Sequence, residues 1–355
     1  QFMPPLWALV GSVLTALSPH LITMNVYVLS ETLFTFLLLL TLRLFVMYRK
    51  HERKLYVLLT GLALGAATLT RPSLQYFVLP MLLLVYFYLP ACTRIKAMVT
   101  LVLGFLLVIG PWHIRNIVST GEVSNGTLMV SFLHHGMYPD FQYQGQLEST
   151  GYPYRSDPES ARISKDLSSV LLEIKQRFTR EPAEHLRWFL LDKPLQLWSW
   201  NMVQGMGDVF VYEVSDSPYF DEPLFRLSHR LMNVIYYPIV ILGLMATIVV
   251  WLPRWALLST GETLFASRCI SLLLLYYTAL HMIGAPFPRY SIPLQPFLYG
   301  MAILGLSMLV RLGRQMALCP ACCNQPAFTQ YCRGLGSRTI RALPASTSTT
   351  VSPNG

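Results

Sequence analysis

Charge is what this sequence has least of. Only 13% of its 355 residues are Asp, Glu, Lys or Arg, about half the share of a soluble globular domain. The deficit excludes a disordered chain, which needs charge and little hydrophobicity to stay solvated. It also argues against a water-soluble enzyme, because 53% of the residues are hydrophobic. Six cysteines are too few and too unevenly placed for a disulfide scaffold. There is no Gly-rich phosphate loop, no nucleotide-binding fingerprint and no serine-protease constellation. No internal repeat is visible. A basic n-region and cleavage site are also missing, so no signal peptide is expected. The chain opens with Gln1 and turns apolar at once through Pro4 and Pro5, which leads us to expect a preceding N-terminal portion.

What charge there is has been sorted. The net charge is +9, yet 15 of the 18 acidic residues lie between Asn116 and His229, with only 9 of the 27 Lys and Arg. That stretch is net −6 and the remainder net +15. Segregation of this kind fits a membrane protein with two differently charged faces, and no nucleic-acid partner is expected.

A membrane-crossing helix needs about 20 mostly apolar residues, fewer where the bilayer is thin. Eight stretches qualify, at 3–18, 24–47, 55–70, 74–91, 97–112, 231–252, 268–285 and 293–311. The expected fold class is therefore an all-α polytopic membrane protein with about eight transmembrane helices. Five lie within 1–115 and three within 230–314, with a mostly helical extracytoplasmic segment over 116–229 and a disordered cytoplasmic tail over 315–355. Arg43, Arg49, Lys50, Arg53, Lys54, Arg94, Lys96, Arg254, Arg268, Arg311 and Arg314 then all fall on one side, which the positive-inside rule makes cytoplasmic.

Within the outer segment, Ile163, Leu167, Val170, Leu171, Ile174 and Phe178 repeat at helical spacing and predict an amphipathic helix over 158–178, capped by Asp157. A second helix over 182–192 is expected to end at Pro194. Trp188, Trp198 and Trp200 suggest an interfacial belt, and the Gly, Pro and Tyr-rich run 135–157 an ordered loop.

On the outer side, Glu31, Arg71, Arg115, Arg230 and Arg289 are the rare ionisable groups. Four of them sit at span ends, in Leu29-Ser30-Glu31-Thr32, Thr70-Arg71-Pro72, Pro111-Trp112-His113-Ile114-Arg115-Asn116 and Pro288-Arg289-Tyr290-Ser291-Ile292-Pro293. Two readings stay open. The arginines snorkel to lipid headgroups, or they converge with one carboxylate on a ligand. No Lys accompanies them on the short outer loops, and guanidinium groups hold phosphate bidentately. A carboxylate there serves as a general base or as a ligand for a divalent cation.

These motifs, with Pro19-His20 and Gly61-Leu62-Ala63-Leu64-Gly65, follow an order over about 1–311 that resembles the bacterial polyprenyl-phosphate-sugar glycosyltransferases. Those enzymes belong to the integral-membrane superfamily of the protein O-mannosyltransferases and the lipid A aminoarabinose transferases. The resemblance implies sugar transfer, with inversion, from a polyprenyl-phosphate carrier to a lipid, glycan or protein acceptor, without a nucleotide sugar. It implies a site on the non-cytoplasmic face of a bacterial inner membrane. It makes Glu31 the catalytic candidate and Arg71, His113, Arg115, Arg289 and Tyr290 the substrate-binding ones. The family's further acidic residue, in its first outer loop, has no counterpart here. The expected partners are the lipid-linked sugar donor and membrane lipids. No cofactor is required, although a divalent cation fits the chemistry.

His134, His135 and Asp140 are further candidates, for proton exchange or metal binding, set against an ordinary turn. Asn125-Gly126-Thr127 matches a glycosylation sequon. Cys319, Cys322, Cys323 and Cys332 read as unpaired or acylated thiols, with zinc the alternative. The competing functional classes are a transporter or flippase for a lipid-linked or anionic solute, and an inactive scaffold. The polar motifs lie at span ends and not at mid-membrane, which favours the enzyme over the transporter.

Overall fold

The computed structural model describes residues 3–123, 126–253, 255 and 261–318. Among these residues every regular element is a helix or a helical turn. The helices are α1 (Pro5–Leu17), α2 (Pro19–Val26), α3 (Ser30–His51), α4 (Lys54–Thr70), α5 (Val78–Tyr88), α6 (Ala91–Thr120), α7 (Gly126–Gly136), α8 (Ser160–Ile163), α9 (Leu167–Arg180), α10 (Pro182–Arg187), α11 (Lys193–Leu197), α12 (Pro218–Asp221), α13 (Pro223–Val249), α14 (Gly261–Ile283) and α15 (Gln295–Leu318). Several begin with proline, whose missing N–H costs nothing in a first turn. The chain divides into a unit over 1–306 and a second unit from Ser307, and the sites described below lie in the first.

Five segments are long and apolar enough to cross a membrane: Ser30–His51, Ala91–Thr120, Pro223–Val249, Gly261–Ile283 and Pro288–Arg311. A sixth is available if α1 and α2, bent by 50° at Ser18, count as one span. The other two expected spans form shorter apolar helices over Lys54–Thr70 and Pro72–Tyr88. All eight apolar stretches are thus helical, and five or six meet the length criterion.

The central contact is between α4 and α6. A Cβ on Gly61 would lie 2.3 Å from the Leu101 carbonyl oxygen, and one on Gly104 would lie 2.5 Å from the Leu58 carbonyl oxygen. The two backbones therefore touch. Small residues permit this in membrane helices, where dispersion replaces the hydrophobic drive.

The helix bundle has two chemically distinct ends. At one, Lys50 approaches Glu262 at 3.9 Å, while Arg268 donates to the Val250 carbonyl at 3.0 Å and to the Tyr88 hydroxyl. The ends of α3, α5 and α13 and the start of α14 thus meet among the cations. The start of α3 and the ends of α4 and α14 lie at the opposite end.

The segment 116–229 departs from its sequence reading in several places. α6 does not stop at 112 but runs to Thr120, where Gly121 at φ +75° closes it. The amphipathic helix is split into α8 and α9, and its cap is Asp166, which accepts from the Ser169 N–H at 2.7 Å. Asp157 accepts from the Glu159 N–H at 2.9 Å in the turn that enters α8, and, buried, it also accepts from the Tyr138 hydroxyl at 2.6 Å and from Arg177 at 3.3 Å. Leu167 and Leu171 are exposed, while Ile163 and Val170 enter a core with Val130, Leu133, Met137 and Tyr138. The second helix passes through a π turn at Trp188–Asp192 and continues across Pro194 to Leu197. Pro194 sits in a first turn of α11, where it breaks nothing.

Nor do the tryptophans form a belt. Trp188, Trp198 and Trp200 are all buried. Their indole N–H groups reach the Gly136 carbonyl at 2.9 Å, the Thr278 hydroxyl at 3.2 Å and the Asp208 carboxylate at 2.5 Å. The indoles pack this segment together and against α14. Lys193, fully buried, donates to the carbonyls of Met282 and Ile283 at 3.0 and 3.2 Å. It thereby satisfies two of the orphan acceptors that every helix end leaves. Burial pushes its amine down to about 6. The neutral amine still has two N–H groups, enough for both carbonyls.

α15 extends to Leu318, four residues into the expected tail. The sequon residue Asn125, Arg254 and Cys319, Cys322, Cys323 and Cys332 lie outside the described residues.

Candidate functional site

Three separate elements bring charge to one point. Glu31 is in the first turn of α3, where the helix dipole favours an anion. Arg71 follows the last residue of α4 and precedes Pro72, which holds it extended at φ −143° and ψ 113°. Arg289 lies in a 3-10 turn, Pro288–Leu294, fixed by Pro288 and Pro293.

The geometry is one carboxylate oxygen shared by two guanidinium groups. Arg71 Nη2 pairs with Glu31 Oε1, and Arg289 Nε donates to the same oxygen at 2.5 Å. The Glu31 side chain is 1% exposed, Arg71 13% and Arg289 22%. One negative and two positive groups leave the cluster with a surplus of one positive charge. Arg71 Nε is buried without an acceptor, so the cluster is also short of hydrogen-bond acceptors. Both shortages are ones that an anion removes.

Aromatic rings close the site. The Arg71 guanidinium lies 5.8 Å from the Phe34 ring and 5.7 Å from Tyr290, and Arg289 lies 6.0 Å from Tyr212. Beneath, Ser73 Oγ is 2.5 Å from the Tyr277 hydroxyl, and Tyr276 donates to the Ser73 carbonyl at 2.6 Å. α14 thus pins the turn that carries Arg71. His281 is stacked 5.1 Å from Tyr277 and lies 5.2 Å from Tyr290. Beside Arg289 lies a narrow cleft, too tight to admit a water molecule, lined by Met202, Val203, Gln204, Val211, Phe287 and Pro288.

The structure therefore brings together Glu31, Arg71, Arg289 and Tyr290. It leaves His113 and Arg115 apart, on the last turns of α6. His113 Nδ1 is 3.1 Å from the Val123 carbonyl. Arg115 is exposed, bonds Asn116 at 3.3 Å and lies over the Trp112 ring at 4.9 Å. Among the described residues neither touches Glu31, Arg71 or Arg289.

His134 and His135 are not on a loop but in the last turn of α7, and they face different partners. His134 Nε2 is 3.1 Å from the Tyr138 hydroxyl, and His135 Nε2 is 2.8 Å from the Gly151 carbonyl. Burial pushes His134 down to about 4 and lowers His135 as well. Asp140 is exposed, at φ +50°. The three do not converge on one ion.

One constellation had escaped sequence reasoning. Asp208 accepts from Trp200 Nε1 at 2.5 Å and pairs with His229 Nε2 at 2.7 Å. It sits at φ +48° directly after Gly207 and three positions after Gly205, both at positive φ. Its loop lines the cleft beside Arg289. The Gly205-Met206-Gly207-Asp208 run was the available signal, since paired glycines mark a backbone that L residues resist.

The chain matches no family model, no curated protein and no solved structure.

Proposed function

We propose that the chain is a membrane glycosyltransferase that takes a sugar from a polyprenyl-phosphate carrier at the extracytoplasmic membrane face. The observation that carries this reading is the surplus positive charge of the Glu31, Arg71 and Arg289 cluster, set at one end of apolar helices. A lipid-linked phosphate supplies what the cluster lacks: negative charge, several acceptor oxygens and an apolar tail for the neighbouring bilayer. Arg71 and Arg289 hold the phosphate, and Tyr290 and Tyr212 shape the approach. Glu31 in this reading aligns the two guanidinium forks. With one oxygen already held by both arginines, it becomes a general base only when the phosphate draws them away.

The same reading takes all eight apolar helices as spans, in a bacterial inner membrane. The end that carries Lys50, Arg268 and Glu262 then faces the cytoplasm, and 116–229 lies outside. Single-cysteine labelling from outside tests the orientation, with Gln144→Cys modified and Glu52→Cys spared. The chemistry is tested by sugar transfer from a synthetic polyprenyl-phosphate sugar, assayed with the protein in membranes. Consumption that requires a nucleotide sugar refutes the donor assignment, and movement of the donor across the bilayer without transfer favours a flippase.

A further inference from the structure

Glu181, Glu184 and His185 stand at i, i+3 and i+4 around the start of α10, so their side chains share one face. Each offers a ligand atom, and the three atoms lie within 4.8 Å of one another. Two of the side chains are exposed carboxylates, while His185 is 5% exposed at their base. His185 Nδ1 is 3.1 Å from the Glu181 carbonyl, the bond expected of an Nδ1–H. Its Nε2 is buried with no partner. That tautomer leaves a lone pair facing no donor. A ring nitrogen tied to a backbone carbonyl with the other left as a lone pair is the usual preparation of a metal-binding imidazole.

The N-terminal dipole of α10 opposes a cation, but the two carboxylates outweigh its half charge.

We propose that Glu181, Glu184 and His185 bind a divalent transition-metal ion, Zn²⁺ or Mn²⁺, at a site separate from the Glu31 cluster. The donor set of carboxylates with one imidazole selects these ions over Mg²⁺ and Ca²⁺, which prefer oxygen alone. The ion ties together the corner between α9 and α10.

The test is metal uptake by the full-length protein in detergent, with Cys319, Cys322, Cys323 and Cys332 changed to Ser so that no tail thiol competes. Mn²⁺ binding is followed by electron paramagnetic resonance, and Zn²⁺ and Mg²⁺ serve as competitors. The expected result is one Mn²⁺ per chain, displaced by Zn²⁺ and not by equal Mg²⁺. The paired substitution Glu181→Gln with Glu184→Gln, both at exposed positions, should lower affinity roughly tenfold or more with helical content unchanged. Affinity equal in the parent and the paired variant, no uptake by the parent at millimolar metal, or equal displacement by Mg²⁺ each overturns the proposal.

Discussion

Replacing Glu31 by Gln tests the charge surplus directly. The change keeps the shape and the acceptor oxygen but removes the one negative charge, so two guanidinium groups in a nearly closed site repel each other unopposed. At about 4 Å and an effective dielectric near 20, each lost attraction is worth roughly 4 kcal/mol. The variant recovers the cost of burying the carboxylate, and Arg71 and Arg289 retain partial exposure of 13% and 22%, which screens the remainder. A net loss of about 3 kcal/mol follows, at the low end for breaking a buried pair, or roughly a hundredfold in the unfolding constant. The assay is reversible denaturation in mixed micelles, read by the fluorescence of the seven tryptophans, with and without polyprenyl phosphate. The lipid phosphate should stabilise the variant more than the parent, because the variant has more uncompensated charge to offer it. A variant within about 0.5 kcal/mol of the parent, or a parent and variant equally indifferent to the phosphate, would refute the reasoning.

Arg289→Lys keeps the cation and loses the planar fork, so donor affinity should fall roughly ten- to hundredfold in a binding titration; an unchanged affinity removes Arg289 from the site. Lys193, lowered to about 6 by burial, takes up a proton on unfolding between that pH and its ordinary value near 10.4. Its contribution to stability therefore rises with pH across that window, and Lys193→Met should abolish this slope in denaturation curves at pH 6.5 and 9. His134, held down to about 4, gains its proton in the unfolded chain first. Stability should accordingly fall as pH drops from about 6.5 towards 4, and His134→Gln should flatten that limb. Gly61→Val drives a side chain into the Leu101 carbonyl and should cost about 2–3 kcal/mol or more. Gly110→Ala, with nothing within 4 Å of its added carbon, should be neutral or mildly stabilising, and equal losses in both would dismiss the close α4–α6 contact.

The convergence of Glu31, Arg71 and Arg289 was legible because charge is so scarce that each ionisable side chain at the edge of an apolar run stands out. Arg115 shared that signature and did not join. Its helix continues for two more turns past Pro111, and whether a helix stops at a proline depends on neighbours that satisfy the freed carbonyl. Periodicity located Ile163 and Val170 as core residues but misjudged Leu167 and Leu171, because the break between α8 and α9 resets the helical phase. The tryptophans misled for a related reason. An indole with a polar N–H suits a membrane interface and a buried hydrogen bond equally well, and only the fold supplies Gly136, Thr278 and Asp208. The Asp208–His229 pair spans 21 positions, beyond the reach of any local pattern.

The grip on the end of α14 has a mechanical consequence. Lys193 holds the carbonyls of Met282 and Ile283, and Gly136 presses on Gly284 so closely that a Cβ would lie 2.3 Å from the Gly284 carbonyl carbon. Phe287, only three residues on, is stacked on Phe141 at 4.3 Å. Arg289 is therefore anchored at the end of a strap with no slack. Anything that levers the 126–197 region relative to α14 must either tear those contacts or carry the arginine along. Insertions between Gly284 and Arg289 should uncouple the two, leaving both halves folded and the guanidinium out of register.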